Sequence, residues 1–524
     1  MSATGYARLR LITRDVLSRQ VLLSDTAVLV YLALADFIAH MAVASNYGYF
    51  RDELYYMADG RHLAFGYVDQ APLIGLLAAV VHVVLGDSLI AIHIIPAFAG
   101  ACLVLTTGLM ARELGGARFA QALAALGSLT TIVLLATASV FSMDILDALW
   151  WTLCGYILIR LLKRREPRLW LLFGLVAGLG LTTKLTMLFF GFAAVVALLL
   201  TPNRADFRTR WPWLGGAIAG VLLLPYLLWN AVNGWPTVEF WRHYGGLSGG
   251  GPVDFFANQV LSINPLNLPL VVAALYFYLR TAAGKPYRAL GWLYVVLYAL
   301  FTLLNAKAYF LTPVYPLMYA GGAVALERAI QRRRWRWITP VYPVALLVSG
   351  LFFAPLAMPV LPPATFARDY GFMTSLGNGG AGQQNAGVFP QYLGDRFGWD
   401  TMTATVAGVY GRLPAGERAQ ACVFTANYGE AGAISLLGAS DRLPPVISGH
   451  NNYYLWGPGR CTGTVLITVG VSPSDLQQAY ASVALAGTIT CRYCMGDEND
   501  LPVYVCTSPK ASIRDLWPRT KHFD

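Results

Sequence analysis

A short polar stretch between two long apolar runs carries many of the residues in this chain that can do chemistry. This stretch, residues 47–73, reads YGYFRDELYYMADGRHLAFGYVDQAPL and contains the adjacent acids Asp52 and Glu53 among several tyrosines and phenylalanines. In such a pair, one carboxylate can accept a proton from a hydroxyl group while the other orients a substrate or binds a cation. We therefore predict that Asp52 and Glu53 are catalytic. Solvated charge at a membrane edge is the ordinary alternative.

A second acid stands at the start of a later apolar run. Asp144 lies in SVFSMDILDALWW, directly before a long hydrophobic segment. Its ordinary role there would be to cap a helix, because an acid at a helix start satisfies free amides and favours the dipole. We nevertheless predict that Asp144 is a third catalytic carboxylate, on the same face of the membrane as Asp52.

The elements that must position these acids are membrane spans. The chain of 524 residues is 56% hydrophobic and only 13% charged, whereas a soluble protein carries about a quarter charged residues. Its apolar runs of roughly 15 to 23 residues are long enough to cross a bilayer core. The net charge of +10 comes from bases beside these runs, which indicates membrane topology rather than nucleic-acid binding.

Charge counting predicts about eleven membrane-spanning helices with the N-terminus in the cytoplasm. Arg8, Arg10, Arg14 and Arg19 precede the first run, and the same side then collects the basic clusters between later runs. Counting the apolar segment 72–85 as a span would reverse every later loop, so we predict that it lies in the outer interface as an amphipathic helix. Residues 45–87 then form the first outer loop. The predicted spans are Thr26–Ala44, Ser88–Met110, Phe119–Phe141, Ile145–Leu162, Leu169–Thr182, Leu185–Leu200, Leu214–Trp229, Leu266–Leu279, Ala289–Leu304, Tyr309–Leu326 and Trp337–Phe353.

Bases are scarce on the outer side of these spans. Before residue 355 the outer loops carry Arg51, Arg61, Lys184, Arg242 and Lys307. A base at a helix end ordinarily extends along the apolar surface to the interface. Because the outer loops otherwise exclude bases, we predict instead that Lys184 and Lys307 hold a phosphate group. His243 follows Arg242 in the sequence and, with Glu53, is a candidate metal ligand.

Residues 355–524 have the composition of a soluble domain, in contrast to the membrane domain of residues 1–354. Alternating strand-like and helix-like segments predict a small α/β domain on the outer side. Predicted strands are 421–425, 445–448, 464–470, 488–491 and 503–506, and predicted helices are 403–413, 429–437 and 474–482.

Five of the seven cysteines lie in this domain, namely Cys422, Cys461, Cys491, Cys494 and Cys506. In an oxidising exterior we expect disulfides with one thiol left over, and the spacing does not specify the pairing. Cys491 and Cys494 would alternatively form half of a metal site, although no second cysteine or histidine pair accompanies them.

Five motifs in order along the chain resemble those of the GT-C glycosyltransferases, in particular the branch of bacterial protein O-mannosyltransferases and lipid A aminoarabinose transferases. They are FRDELYY after the first span, DQAPL, FSMD before the fourth span, GLTTK before the sixth and KAYFLTPVYP at the tenth. DQAPL is similar to the DxPPL of this family with Ala71 in place of one proline. The resemblance covers roughly residues 27–326.

The resemblance implies transfer of a sugar from a polyprenyl-phosphate carrier to a protein, lipid or glycan acceptor at the outer face of a bacterial inner membrane. Asp52 would activate the acceptor, Glu53 would assist it or bind a cation, and Asp144 would be the second acid of the site. The carrier phosphate would contact Lys184, Lys307 and Tyr309, with Arg51 and Arg242 as further candidates. Some relatives use a divalent metal and others do not, so no cofactor is required and a metal is left open.

A transporter or flippase of lipid-linked sugars is the alternative from another class. Transporters tend to place charges near the bilayer midplane and to show paired internal repeats. The informative charges of this chain gather at one face instead. The sequence therefore favours the transferase, with membrane lipids and a lipid-linked donor as partners.

Overall fold

Apolar helices make up the first two thirds of the chain in the computed structural model, which describes residues 24–244, 251–377, 387–439 and 441–524. The N-terminal arginines on which the cytoplasmic assignment rests lie outside the described residues. The helices of this part are α1 Asp25–Val43, α2 Arg51–Arg61, α3 Leu73–Leu85, α4 Leu89–Glu113, α5 Arg118–Leu129, α6 Ile132–Ala138, α7 Met143–Arg164, α8 Leu169–Leu181, α9 Met187–Leu199, α10 Trp211–Val232, α11 Pro236–Tyr244, α12 Pro252–Ser262, α13 Leu268–Arg280, α14 Arg288–Leu303, α15 Tyr315–Arg333 and α16 Ile338–Ala357. Short 3₁₀ helices occupy Pro202–Arg208, Pro265–Asn267, Lys285–Tyr287 and Ala308–Val314.

Each of the eleven predicted spans coincides with a helix or with a bent pair of helices. By length and composition, six helices of the described residues can cross a membrane, and three bent pairs raise the number to nine. The pairs are α5 with α6, α9 with the following 3₁₀ helix, and α12 with α13, bent by 65°, 111° and 95°. The two remaining predicted spans correspond to α8 and α15. Helix α8 has only 13 residues, and the last turns of α15 are charged.

Close backbone contact holds some of these helices together. At Gly174 of α8, a Cβ atom would lie 2.1 Å from the carbonyl oxygen of Gly215 on α10. No side chain fits at that distance, so the two helices can pack this tightly only with glycine at the crossing. Small residues at such crossings are a common feature of membrane helix packing.

The first outer loop folds as two helices, α2 and α3, with different surfaces. Helix α3 buries Ile74, Ala78 and Val81 and leaves Val83 and Val84 80% and 70% exposed. An apolar face left open beside a packed one is what a helix in the membrane interface requires, as we predicted for residues 72–85.

The C-terminal part contains one mixed sheet flanked by short helices. Its elements are α17 Pro363–Asp369, α18 Gly371–Gly377, α19 Gln391–Gly394, α20 Trp399–Arg412, α21 Ala415–Arg418, β1 Ala421–Thr425, α22 Tyr428–Leu437, β2 Val446–Ser448, α23 Asn451–Trp456, β3 Val465–Val469, α24 Pro473–Ala479, β4 Tyr480–Ile489, β5 Leu501–Pro509 and α25 Ile513–Leu516. The strand order is β2-β1-β3-β5-β4. Strands β1, β2 and β3 run parallel, while β5 is antiparallel to both β3 and β4.

Two predictions for this domain are wrong in detail. The helix predicted at 474–482 ends at Ala479, because the chain from Tyr480 onwards pairs with β5 as strand β4. One disulfide forms, between Cys422 and Cys461, and the other cysteines are free thiols. Cys506 is fully buried within β5, away from the loop that holds Cys491 and Cys494, so a second bridge to it cannot close.

Helix α2 joins the membrane part to the C-terminal domain. Leu54 of α2 lies in one hydrophobic cluster with Ala433 and Ile434 of α22. A Cβ atom at Gly432 would lie 2.9 Å from the Cβ of Leu54, so the two helices pack closely. The acids of the first outer loop are therefore enclosed between membrane helices and the C-terminal domain.

Candidate active site

Glu53 points away from solvent, into the membrane helices. It is 0% exposed, and its Oε1 lies 2.8 Å from His93 Nε2 and accepts a hydrogen bond from Phe141 N at 2.6 Å. Its Oε2 accepts from Phe50 N at 2.8 Å and so caps the start of α2. Burial raises the pKa of this carboxyl, but the charges of His93 and Arg396 and the hydrogen bonds outweigh burial and lower it. Glu53 therefore fixes α2 in place and has no open oxygen for a substrate or cation.

Asp52 faces the opposite way, towards the C-terminal domain. Its side chain is 27% exposed, and its Oδ1 accepts a hydrogen bond of 2.9 Å from the hydroxyl of Tyr428. Arg51 Nε lies 3.6 Å from the same oxygen, and the Arg51 guanidinium also reaches Asp395 at 3.8 Å. Asp52 is thus a held but accessible carboxylate, as a base for an acceptor hydroxyl should be.

A buried polar network lies along the rest of α2. Tyr55 donates to Asp69 Oδ1 at 2.8 Å, and Asn452 donates to Asp59 Oδ1 at 2.8 Å. The amide of Gln70 donates to the other oxygen of Asp59. Burial raises the pKa of Asp69 to about 7. This network ties the DQAPL segment to α2 and brings Asp69, a second carboxyl group of the first outer loop, towards Asp52.

Asp144 begins α7 and forms an ion pair with Lys184. Asp144 Oδ1 lies 2.5 Å from Lys184 Nζ, and the Asp144 side chain is 28% exposed. The ammonium group of Lys184 lies 5.0 Å from the ring centre of Tyr309 and 5.1 Å from that of Phe310. The predicted helix-capping role belongs partly to Ser142, whose hydroxyl accepts from Asp144 N at 3.3 Å. The Asp144 carboxylate is therefore available to Lys184 and to a ligand.

Tyr56 lies between the acids of the first outer loop and Asp144 of α7 in its electrostatic surroundings. It is buried on α2, and after burial the negative charges of Asp52, Asp69 and Asp144 raise its pKa well above the usual range. The three carboxyl groups therefore lie near enough to Tyr56 for their charges to act on it. The sequence predicted Asp52, Asp144, Lys184 and Tyr309 as site residues and placed Tyr56 only among the aromatic residues around Asp52. It gave no role to Asp69, although Asp69 lies in the DQAPL motif.

Three other predicted residues lie on α11 and at the start of the 3₁₀ helix Ala308–Val314. Lys307 directly precedes the 3₁₀ helix that carries Tyr309, and that helix is tied to α12 where Gln259 donates to Ala308 O at 2.7 Å. Arg242 lies exposed on α11. His243 is exposed too, with Nδ1 2.9 Å from Glu239 O.

The predicted metal ligands do not come together. Glu53 is occupied as described, and His243 lies on α11 near Asp524, whose pKa its charge helps to lower. Within the described ranges, one group of three residues has potential ligand atoms within 4.8 Å of one another, namely His450, His522 and Asp524. Both His522 nitrogens already face carbonyl oxygens, at 2.9 and 3.0 Å, so these residues do not fit a metal without losing those contacts.

Comparison with known proteins gives a family match over part of the chain. Residues 69–229 match the family described as dolichyl-phosphate-mannose-protein mannosyltransferase. No protein with a curated description matches the sequence.

Two solved proteins share the fold over most of the chain. The crystal structure of ArnT from Cupriavidus metallidurans bound to undecaprenyl phosphate is 15% identical, with a TM-score of 0.60 over 96% of this chain and 98% of that one. Its apo state is 16% identical, with a TM-score of 0.60 over 91% of this chain and 97% of that one. The archaeal oligosaccharyltransferase AglB from Archaeoglobus fulgidus, in complex with an inhibitory peptide and a dolichol-phosphate, is 10% identical, with a TM-score of 0.50 over 84% of this chain and 69% of that one.

These likenesses define the class of protein, because they place the chain in the GT-C fold as its motifs predicted. The family match runs from the DQAPL segment, which precedes α3, to α10, so the chain is a multi-pass membrane protein with the GT-C fold that resembles glycosyltransferases over this part.

Proposed function

We propose that this enzyme transfers a sugar from a polyprenyl-phosphate carrier to an acceptor at the extracytoplasmic face of a bacterial inner membrane. The N-terminus would be cytoplasmic and the C-terminal domain extracytoplasmic. The observation that carries the proposal is the ion pair of Asp144 with Lys184 beside Tyr309 and Phe310, together with the accessible carboxylate of Asp52 on α2. A site of this kind has acids for an acceptor hydroxyl and a base for a phosphate, at one end of the apolar helices.

The chemistry follows from these positions. Asp52 takes the proton of the acceptor hydroxyl as its oxygen bonds to the anomeric carbon of the donor sugar. The bond from that carbon to the phosphate oxygen breaks, and polyprenyl phosphate leaves with the electron pair. Direct displacement of this kind inverts the configuration at the anomeric carbon.

The cations stabilise the leaving group. Lys184 faces Tyr309 and Phe310 in a partly enclosed position, where its charge acts on the departing phosphate more strongly than it would in water. Lys307, which directly precedes the helix of Tyr309, is proposed to contact the same phosphate. Arg242 and Arg51 would act from the side of the C-terminal domain, Arg51 mainly by holding Asp52.

No metal enters this reaction as we propose it. The charge that a divalent cation would neutralise on the phosphate is met by Lys184. Glu53 has no open oxygen, and the group of His450, His522 and Asp524 does not present free ligand atoms.

The test is an assay of purified protein in nanodiscs with a panel of polyprenyl-phosphate sugars, measuring release of free polyprenyl phosphate. Asp52→Asn and Asp144→Asn are expected to lower kcat by at least about 100-fold, the range of general base and electrostatic contributions. Lys184→Met is expected to lower it similarly. Matched controls are Asp441→Asn and Lys285→Met, which change exposed residues remote in sequence from the site motifs and are expected to retain wild-type rates.

Full transfer by both Asp52→Asn and Asp144→Asn would contradict the assignment of the site. Movement of the intact carrier across the membrane without cleavage would instead support the transporter alternative. Mass spectrometry of glycans, lipids and proteins from cells lacking this chain would then identify the acceptor class.

A further inference from the structure

The C-terminal domain contributes a phenol to the acids of the first outer loop. Tyr428 is the first residue of α22, and Asn427 before it caps that helix by accepting from Glu430 N at 2.9 Å. Glu430 Oε2 in turn accepts from Asn427 N at 3.2 Å. This reciprocal capping box fixes the backbone at the start of the helix. The side chain of Tyr428 therefore leaves the domain in a defined direction.

The ring of Tyr428 is held on three sides. It stacks on Tyr55 with ring centres 4.4 Å apart, and the guanidinium of Arg51 lies 5.6 Å from its centre. His450 lies on another side, with ring centres 4.7 Å apart. Contacts of this kind add to the stability of a ring position beyond simple burial. The hydroxyl group is thereby presented to Asp52 rather than left to rotate in solvent.

The hydroxyl donates to one oxygen of the Asp52 carboxylate. The distance from Tyr428 Oη to Asp52 Oδ1 is 2.9 Å. Burial, together with the negative charge of Asp52, raises the pKa of Tyr428 well above its usual range, so the phenol keeps its proton and remains the donor. Among the described residues no hydrogen bond involves Asp52 Oδ2. One oxygen is therefore fixed while the other stays open.

We propose that Tyr428 is a positioning residue for Asp52, so that the C-terminal domain completes the active site. This inference rests on the proposed function, in which Asp52 accepts the proton of the acceptor. A carboxylate held by one oxygen presents the other in a constant direction, which is the geometric condition for efficient general base catalysis.

Further contacts keep the domain close enough for this role. Asn452 of α23 donates to Asp59 Oδ1 at 2.8 Å, and its own side-chain oxygen accepts from Val68 N at 2.8 Å. Its backbone N–H lies 3.3 Å from Tyr55 Oη. Asn452 is 1% exposed, so these bonds are protected from water. Asn452 thus attaches the domain to α2 and to Val68 at a point separate from Tyr428.

The decisive variant is Tyr428→Phe, which removes the hydroxyl and keeps the ring contacts. Because hydrogen bonds to charged groups are among the strong ones, kcat is expected to fall about 10- to 100-fold. KM for the polyprenyl-phosphate sugar is expected to stay at its wild-type value, and the thermal unfolding midpoint is expected to fall only by what the loss of one hydrogen bond costs. Tyr410→Phe, a change on α20 of the same domain away from Asp52, is the matched control and is expected to retain wild-type kcat.

A second measurement separates positioning from a structural effect. In Asp52→Glu the carboxylate is displaced by one methylene and no longer meets the hydroxyl at its present distance. Adding Tyr428→Phe to that variant is expected to change kcat less than about twofold, because coupled residues show non-additive effects. A merely structural role would instead give the same loss in both backgrounds.

The results also distinguish this inference from the proposed function. Wild-type kcat in Tyr428→Phe, alongside an inactive Asp52→Asn, would overturn the positioning role and leave the function standing. An equal loss of kcat when Tyr428→Phe is added to Asp52→Glu would also overturn the positioning role. Full activity of Asp52→Asn would instead show that the proposed site is wrong, and the inference would fail with it.

Discussion

Replacing Glu53 should weaken the fold far more than the chemistry. The three contacts of its carboxylate, to His93, Phe141 N and Phe50 N, are all buried. Glu53→Ala leaves these donors without an acceptor, and breaking one partner of a buried ion pair costs about 3–5 kcal/mol. Glu53→Gln keeps one acceptor oxygen but turns an amide N–H₂ towards a donor, so we expect about 2 kcal/mol of destabilisation, within the range for an unsatisfied buried group.

The measurement compares wild type with Glu53→Gln in one detergent, by thermal unfolding and by kcat per folded molecule well below the lower midpoint. We expect the midpoint to fall by several degrees and kcat to stay within about threefold, since Glu53 does not touch the substrate in this site. Glu166→Gln, an exposed acid between α7 and α8, is the control. An unchanged midpoint with a 100-fold lower kcat would refute this reasoning and restore Glu53 as a chemical group.

Three further predictions follow from other parts of the molecule. Burial raises the pKa of Asp69 to about 7, so ionisation of this carboxyl destabilises the folded protein as pH rises from the usual carboxyl range through 7. The unfolding midpoint of Asp69→Asn should therefore rise relative to that of wild type between pH 5 and pH 8. A difference in midpoint that does not depend on pH would contradict this. Breaking the Cys422–Cys461 disulfide, which closes a loop of sequence separation 39, should destabilise the C-terminal domain by about 3–4 kcal/mol. The measurement is the unfolding midpoint with and without reductant, and Cys491→Ser is the control that should leave both midpoints unchanged. Chelation by EDTA should leave the transfer rate unchanged, and recovery of a lost rate by a divalent cation would refute the metal-free proposal.

Much of the fold is predictable because the length of an apolar run and the side of a basic cluster are physical signals. They place every helix that can cross the membrane near its observed position. They do not show bends, since the run around Thr130 and Thr131 stays apolar while α5 and α6 meet at 65°. Likewise, α12 precedes the predicted span at Leu266 as a separate amphipathic helix bent from it by 95°, and hydropathy alone treats it as loop.

Some residues of the candidate site are likewise predictable from the sequence, and others are not. Asp144 and Lys184 are predictable as neighbours, because both stand at ends of apolar runs that the charge pattern assigns to the same side. Tyr428 is not predictable, because it meets Asp52 across a sequence separation of 376 residues. That contact depends on how the C-terminal domain docks on α2, and no local pattern in the sequence encodes the docking.

Helix geometry explains why the adjacent acids take separate roles. Successive residues of an α-helix point about 100° apart, so Asp52 and Glu53 on α2 cannot both face one small ligand. Glu53 faces α4 and closes a buried ion pair with His93, while Asp52 faces α22 and meets Tyr428. The residues on the side of Asp52 are those one turn away, Tyr55 and Tyr56. In a helical connector, one acid of an adjacent pair is therefore expected to anchor the helix that presents the other.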